Sequence, residues 1–182
     1  MFYDKTLTEF VKDHGLDSEE TISDVSTKDL YNLKSQGYTV ENMLDYLSSH
    51  FNRLLHGSRT DISNPNLKPN QKNRIYATNY GSIAILKAVF SNWNLKGNGL
   101  RYPIWINEHT PLELRIEGLN KDTIGDGGFV YVINSAEFFN HPPGSWQYIN
   151  TGRDVPIQAK IEVEYDDFKY PVIDVDNKIR IK

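Results

Sequence analysis

The chain has 182 residues, of which 38% are hydrophobic and 24% are charged, and its formal net charge is -4. This length suits one domain or one domain with an appendage, and this composition excludes a wholly disordered chain because it can supply a buried core. The mild negative charge gives no reason to expect nucleic acid or an anionic membrane as an obligatory partner, although it is compatible with a local basic patch.

Cysteine is absent from the sequence. This absence excludes disulfides, thiolate nucleophiles and cysteine-based zinc sites, and it fits a reducing cytoplasm. Residues Met1–Thr6 lack the basic and apolar segments of a signal peptide, and no apolar run approaches the ~20 residues that span a bilayer. The histidines show no metal-ligand spacing. We therefore expect a cytoplasmic protein with no membrane association and no metal site.

The first fifty residues predict helices. Apolar residues recur at helical spacing within 7–11, 30–33 and 40–47. Ser26 and Asp29 have the form of a capping box, and a third helix is expected to begin at Thr39. Helices of this kind usually serve as scaffold or as a partner-binding surface, so residues 1–50 are interpreted as a helical region that precedes a domain of residues 51–182.

After Leu55 the pattern changes to short strands with one further helix, Ser82–Phe90. Three glycine- or proline-rich segments predict turns or loops: Gly97–Gly99, Thr123–Gly128 and Asn140–Ser145. Many strands with few helices indicate an α+β domain. The predicted strands are Ile75–Thr78, Tyr102–Ile106, Leu112–Ile116, Phe129–Ile133, Trp146–Ile149 and Ile157–Tyr165.

Two short motifs carry the candidate chemistry. Leu54–Ser58 and Arg74–Thr78 each form an apolar strand that delivers one polar residue, His56 or Tyr76, followed by small residues. An imidazole can bind a hydroxyl, a glycine backbone can approach a planar ligand closely, and a phenol offers a ring face. If the two strands are neighbours, these groups would form one pocket.

This ordered pair of motifs, followed by a helix, resembles the nucleotide-binding half of the His-Tyr-Glu ADP-ribosyltransferases. Diphtheria toxin and the poly(ADP-ribose) polymerases share that fold. The resemblance covers Leu54 to Phe168 and is carried by His56-Gly57-Ser58 and Tyr76-Ala77-Thr78. It implies a split mixed or antiparallel β-sheet core after the N-terminal helices, and it implies NAD as the substrate.

The same resemblance implies roles for single residues. His56 would hold the ribose next to nicotinamide, and the Gly57 backbone would bind the carboxamide, with Ser58 in the same strand end. Tyr76 would line the ring pocket, with the Thr78 hydroxyl nearby. The residues alone leave two other readings open, in which His56 is a buried histidine bonded to the backbone and Tyr76 is a core or edge-strand aromatic.

Two positions depart from the family pattern. The second tyrosine of the family, which stacks on nicotinamide from the following helix, falls at Lys87 when counted from Tyr76. The family glutamate falls at Gln147, whose neutral amide hydrogen-bonds a ribose hydroxyl but stabilises a developing cation poorly. Three other acids could substitute for that glutamate: Glu137, Glu162 and Glu164.

The resemblance therefore supports two hypotheses. One is an NAD-dependent mono-ADP-ribosyltransferase with His56, Tyr76 and Gln147 in its catalytic site and a protein, nucleic acid or small molecule as acceptor. The other is a catalytically inactive binding protein of the same fold. The RNA 2′-phosphotransferases share the fold, but their Arg-His element is absent from this sequence, and a plain interaction protein is a further alternative.

Overall fold

The computed structural model describes residues 5–18, 22–90, 101–105, 111–117 and 127–181. Within these ranges the chain combines helices with a mixed sheet, which confirms the predicted α+β class. The helices are α1 (Lys5–Asp13), α2 (Thr27–Ser35), α3 (Val40–Phe51) and α4 (Gly81–Val89). The strands are β1 (Ser23–Val25), β2 (Arg53–Ser58), β3 (Asn66–Leu67), β4 (Arg74–Thr78), β5 (Arg101–Trp105), β6 (Pro111–Ile116), β7 (Gly127–Asn134), β8 (Phe139–Asn140), β9 (Gln147–Thr151), β10 (Val155–Glu164), β11 (Val172–Asp174) and β12 (Ile179–Arg180).

The predicted starts of α2 and α3 are confirmed. In the capping box of α2 the Asp29 N–H donates to the Ser26 hydroxyl at 3.3 Å, and the Ser26 N–H donates to the Asp29 carboxylate at 2.9 Å. A second box begins α3, where the Asn42 N–H donates to the Thr39 hydroxyl at 3.1 Å and the Thr39 N–H donates to the Asn42 side chain at 3.0 Å. Each box satisfies N–H groups that have no partner within the first turn of the helix.

The strands form two sheets. Eight of the described strands make the larger one, in the order β1-β10-β7-β2-β4-β9-β8, with β3 paired to β10. The other four described strands form a sheet in the order β12-β11-β6-β5. The motif strands β2 and β4 are therefore neighbours in the middle of the larger sheet.

The larger sheet has a buried core on each face. Adjacent residues of a strand point to opposite faces, so Leu55 belongs to the core that contains the helices, and Leu54 belongs to the core on the other face. The helical core also includes Leu114 and Val172 of the smaller sheet. The N-terminal helices, the helix α4 and both sheets thus share apolar contacts.

Helix α4 crosses the larger sheet and is buried along almost its whole length. Its N-cap residue, Tyr80, makes no side-chain cap, and the Gly81 N–H instead donates to the Asp45 carboxylate of α3 at 2.6 Å. A side chain at Gly81 would stand 2.9 Å from the Glu41 carbonyl oxygen, so glycine permits this close approach of α3. The cap and the contact together hold the start of α4 against α3.

Some predicted boundaries were wrong. The predicted loop Thr123–Gly128 ends in strand, because Gly127 and Gly128 open β7. These glycines permit close packing rather than a turn, since an added Cβ would clash with the backbone carbonyls of Val163 and Ala88. Asn140, which was predicted in a loop, lies in β8. The predicted turn Gly97–Gly99, the remainder of the 123–128 loop and Ile106 lie outside the described residues.

Several strands were not predicted. The N-terminal region contributes β1, which pairs in parallel with β10, and the smaller sheet gains β11 and β12 from the C-terminal end. No helix within the described residues combines the length and the apolar character needed to cross a bilayer.

Candidate functional site

A groove of about 600 Å³ lies where β2 and β4 separate, and we call it the β2–β4 groove. Its walls come from the ends of these strands, from the start of β9 and from α4. It is lined by every site residue predicted from the sequence, namely His56, Gly57, Ser58, Tyr76, Thr78 and Gln147. Three separate segments of the chain thus converge on one site.

The groove opens because the two motif strands diverge. Strand β2 pairs with β7 over six register positions, and β4 pairs with β9 over five. Between β2 and β4 the sheet keeps a single register pair, Leu55 with Thr78. If the pairing continued, Gly57 would lie opposite Tyr76. Because it does not continue, the edge of β2 that faces β4 borders the groove beyond Leu55.

His56 bridges the two strands at the point where they part. Its ring Nδ1 lies 2.7 Å from the carbonyl oxygen of Tyr76. Because a carbonyl only accepts, Nδ1 carries the proton of this bond, and in the neutral ring Nε2 is left as an acceptor. Burial lowers the pKa of His56 below its ordinary value, and the bond to Tyr76 opposes that effect in part. His56 is therefore both hydrogen-bonded to the backbone and part of the groove wall.

Gly57 lies against α4 with no space for a side chain. An added Cβ would clash with the Ala84 carbonyl oxygen and would stand 2.8 Å from the Cβ of Lys87. The side chain of Lys87 therefore starts directly beside the Gly57 backbone. This places a lysine at the contact where the resemblance predicts an aromatic ring.

The imidazole and the phenol approach the groove from different faces of the sheet. Thr78 is the register partner of Leu55, so Thr78 and Tyr76 point toward α4. His56 shares the face of Leu54 and lies with its ring centroid 6.4 Å from that of Tyr131. The two side chains therefore border the same groove only because the strands separate between them.

Gln147 enters the groove from β9, where it is the register partner of Thr78. Its side-chain NH₂ donates to the carbonyl oxygen of His141 at 3.3 Å. With one N–H used in this bond, the amide oxygen can accept from a ligand hydroxyl.

Among the described residues, two charged side chains line the groove, Arg59 and Lys87, and both are cationic. The Lys87 ammonium lies 5.8 Å from the centre of the Trp146 ring, which also lines the groove. Arg59 and Trp146 were not predicted as site residues. Their signal in the sequence is position alone, since each is adjacent to a predicted residue, Ser58 or Gln147.

The three candidate substitutes for the family glutamate lie elsewhere. Glu162 accepts a hydrogen bond from the Thr27 N–H at 3.2 Å, and Glu164 pairs with Lys34 at 3.2 Å. Glu137 pairs with Arg153 at 3.2 Å. Among the described residues no carboxylate lines the groove, so Gln147 stands alone at that position.

A second cavity, of about 690 Å³, lies between α3 and the start of α4, and we call it the α3–α4 cavity. Its acids are Glu41 and Asp45. Burial raises the pKa of Asp45 to about 6, an effect that the Gly81 hydrogen bond opposes and the nearby Glu41 charge reinforces. The same lining includes Asn79 and Ser48, whose Oδ1 and Oγ are buried without a hydrogen-bond partner among the described residues.

Searches of the chain against protein-family models, curated proteins and solved structures found no match. In the described residues, no group of three or more His, Asp or Glu side chains could hold a metal ion.

Proposed function

We propose that the β2–β4 groove binds a nicotinamide adenine dinucleotide in the manner of the His-Tyr-Glu ADP-ribosyltransferases, and that the protein is a binding module of that type with little or no transfer activity. The observation that carries the proposal is the convergence of all six motif residues on one groove. Its volume of about 600 Å³ lies within the usual range for small-molecule sites.

The residues of the groove suit the sugar and the amide of such a ligand. The Nε2 atom of the neutral His56 ring accepts a hydrogen bond from a ribose hydroxyl, since Nδ1 already donates to Tyr76. The unpaired edge of β2 at Gly57 offers backbone groups for a carboxamide. Tyr76 supplies an aromatic wall, and Arg59 supplies a cation suited to a diphosphate.

Weak transfer follows from the charges at the same site. Cleavage of the nicotinamide–ribose bond builds positive charge on the ribose, which a carboxylate stabilises when it is positioned there beforehand. Gln147 is neutral, and the described charged groups that line the groove are Arg59 and Lys87. A neutral amide stabilises this developing charge less than a carboxylate does, so the site favours binding over turnover.

A functional mono-ADP-ribosyltransferase is the second candidate. It is favoured by the position of Gln147, which borders the same groove as His56 and keeps its amide oxygen for a ribose hydroxyl. Nicotinamide release by the wild-type protein at saturating NAD would support this candidate, with a protein, nucleic acid or small molecule as acceptor.

Calorimetric titration with NADH and NAD⁺ tests the proposal, with His56→Asn as the decisive variant. The Asn side-chain nitrogen lies one bond from Cγ, as Nδ1 does, so the variant keeps the donor to Tyr76 and loses Nε2. We expect its affinity to fall about tenfold, the usual effect of one lost hydrogen bond at a binding site.

His50→Asn is the matched control, because His50 is exposed on α3 and does not line the groove. It should bind like the wild type. No binding of either nucleotide to the wild-type protein would refute the proposed function.

A further inference from the structure

The charges of the β2–β4 groove bear on which nicotinamide nucleotide it selects. NAD⁺ and NADH share the same diphosphate, sugars and carboxamide, and they differ by one positive charge on the nicotinamide ring. A cation on the wall that faces this ring therefore separates the two ligands. Lys87 is the residue to consider, because its Cβ lies beside Gly57, the proposed carboxamide contact.

The position of the ammonium is fixed at its far end as well. The Lys87 nitrogen lies 5.8 Å from the centre of the Trp146 ring, so the side chain extends along the groove from Gly57 toward the start of β9. Both ends of this side chain thus lie at groove-lining residues. Its ammonium therefore borders the space between α4 and β9.

We propose that the groove selects dinucleotides whose nicotinamide ring is uncharged, so that it binds NADH more tightly than NAD⁺, with Lys87 as the residue that discriminates. The inference rests on the proposed function and adds the charge state of the ligand. Arg59 favours both nucleotides alike because it acts on their common diphosphate. Lys87 opposes only the oxidised ring, since two positive charges repel most strongly where water is partly excluded.

The test is the ratio of the NAD⁺ and NADH dissociation constants, measured by calorimetry. The wild type should favour NADH by about tenfold or more, which is the effect of a like-charge contact in a partly solvated site. Lys87→Met keeps an unbranched apolar side chain beside Gly57 and removes the charge. In this variant the ratio should fall to about twofold or less, mainly because NAD⁺ binds more tightly.

Two further variants test whether the change in the ratio comes from the charge of Lys87. Lys87→Arg keeps the charge and should keep the preference for NADH, which separates charge from any change in packing. Lys72→Met removes an exposed lysine that does not line the groove and should leave the ratio at its wild-type value.

The failures can be told apart. Equal affinity for the two nucleotides, or tighter binding of NAD⁺, would overturn this inference and leave the proposed function intact. An unchanged ratio in Lys87→Met, or an equal fall in Lys72→Met, would overturn the assignment to Lys87. Absence of binding by both nucleotides would overturn the inference together with the proposed function.

Discussion

The β2–β4 groove and the α3–α4 cavity are similar in volume, about 600 and 690 Å³, but they have opposite charge. The described charged groups of the groove are Arg59 and Lys87, whereas those of the cavity are Glu41 and Asp45. The pKa shifts also oppose each other in direction, since burial lowers the pKa of His56 in the groove and raises that of Asp45 in the cavity.

The two regions differ further in what their polar groups already do. In the cavity Glu41 accepts a hydrogen bond from the Tyr170 hydroxyl at 2.8 Å, and Asp45 accepts one from the Gly81 N–H at 2.6 Å. Both carboxylates thus hold parts of the fold together. In the groove His56 uses Nδ1 to bond the Tyr76 carbonyl and keeps Nε2 as an acceptor.

The largest expected effect is that of Gly57→Ala, which tests whether the groove depends on the close contact of β2 with α4. The new Cβ would clash with the Ala84 carbonyl, and we expect a loss of about 3 kcal/mol in the free energy of unfolding, as for overpacking of a rigid site. Urea denaturation measures this loss.

Gly37→Ala is the control for Gly57→Ala. A Cβ at Gly37 meets nothing within 4 Å, so only its φ of +88° imposes a cost, of about 1 kcal/mol. Equal losses in the two variants would mean that the contact with α4 is not tight.

The sequence allowed prediction of those features that depend on neighbouring residues. Both capping boxes span four residues, and each motif strand is bounded by its own residue pattern. The local sequence therefore predicted four elements: α2, α3, β4 and α4. The motif residues His56 and Tyr76 were placed in one site because a known family joins them.

Features that depend on distant partners were not predictable. Strand β1 has three residues and exists because it pairs with β10. The local sequence predicts a loop at Gly127 and Gly128. In the fold these glycines instead permit the close approach of the Val163 and Ala88 backbones. The ring beneath Lys87 belongs to Trp146, a residue far from it in the sequence.

An intermediate effect is expected from Asp45→Asn, which tests the structural role of the α3–α4 cavity. The folded protein raises the pKa of Asp45 from 3.8 to about 6, so between pH 4 and pH 6 it binds more protons than the unfolded chain. Stability from this group is therefore lost as the pH rises through that window.

An asparagine keeps an acceptor for the Gly81 N–H and does not titrate. Relative to the wild type, the variant should gain roughly 2 kcal/mol of unfolding free energy between pH 4 and pH 7. Urea denaturation at the two pH values measures the gain. A difference between the proteins that is the same at both pH values would contradict the account.

The smallest effect on binding is expected from Gln147→Glu, which introduces the missing carboxylate into the groove. The oxygen that accepts from a ribose hydroxyl is retained, so NAD affinity should change by about threefold or less. Nicotinamide release should rise above the wild-type rate because a carboxylate stabilises the developing positive charge. If release stays at the wild-type rate, Gln147 is not the residue that limits transfer.

The most direct test of the central claim is an amide NMR titration of the protein with NADH. The account predicts that the signals of Gly57, Tyr76 and Gln147 in the β2–β4 groove shift with saturation, while those of Glu41 and Asp45 in the α3–α4 cavity stay in place. Shifts confined to the α3–α4 cavity, or no shifts at saturating NADH, would contradict it.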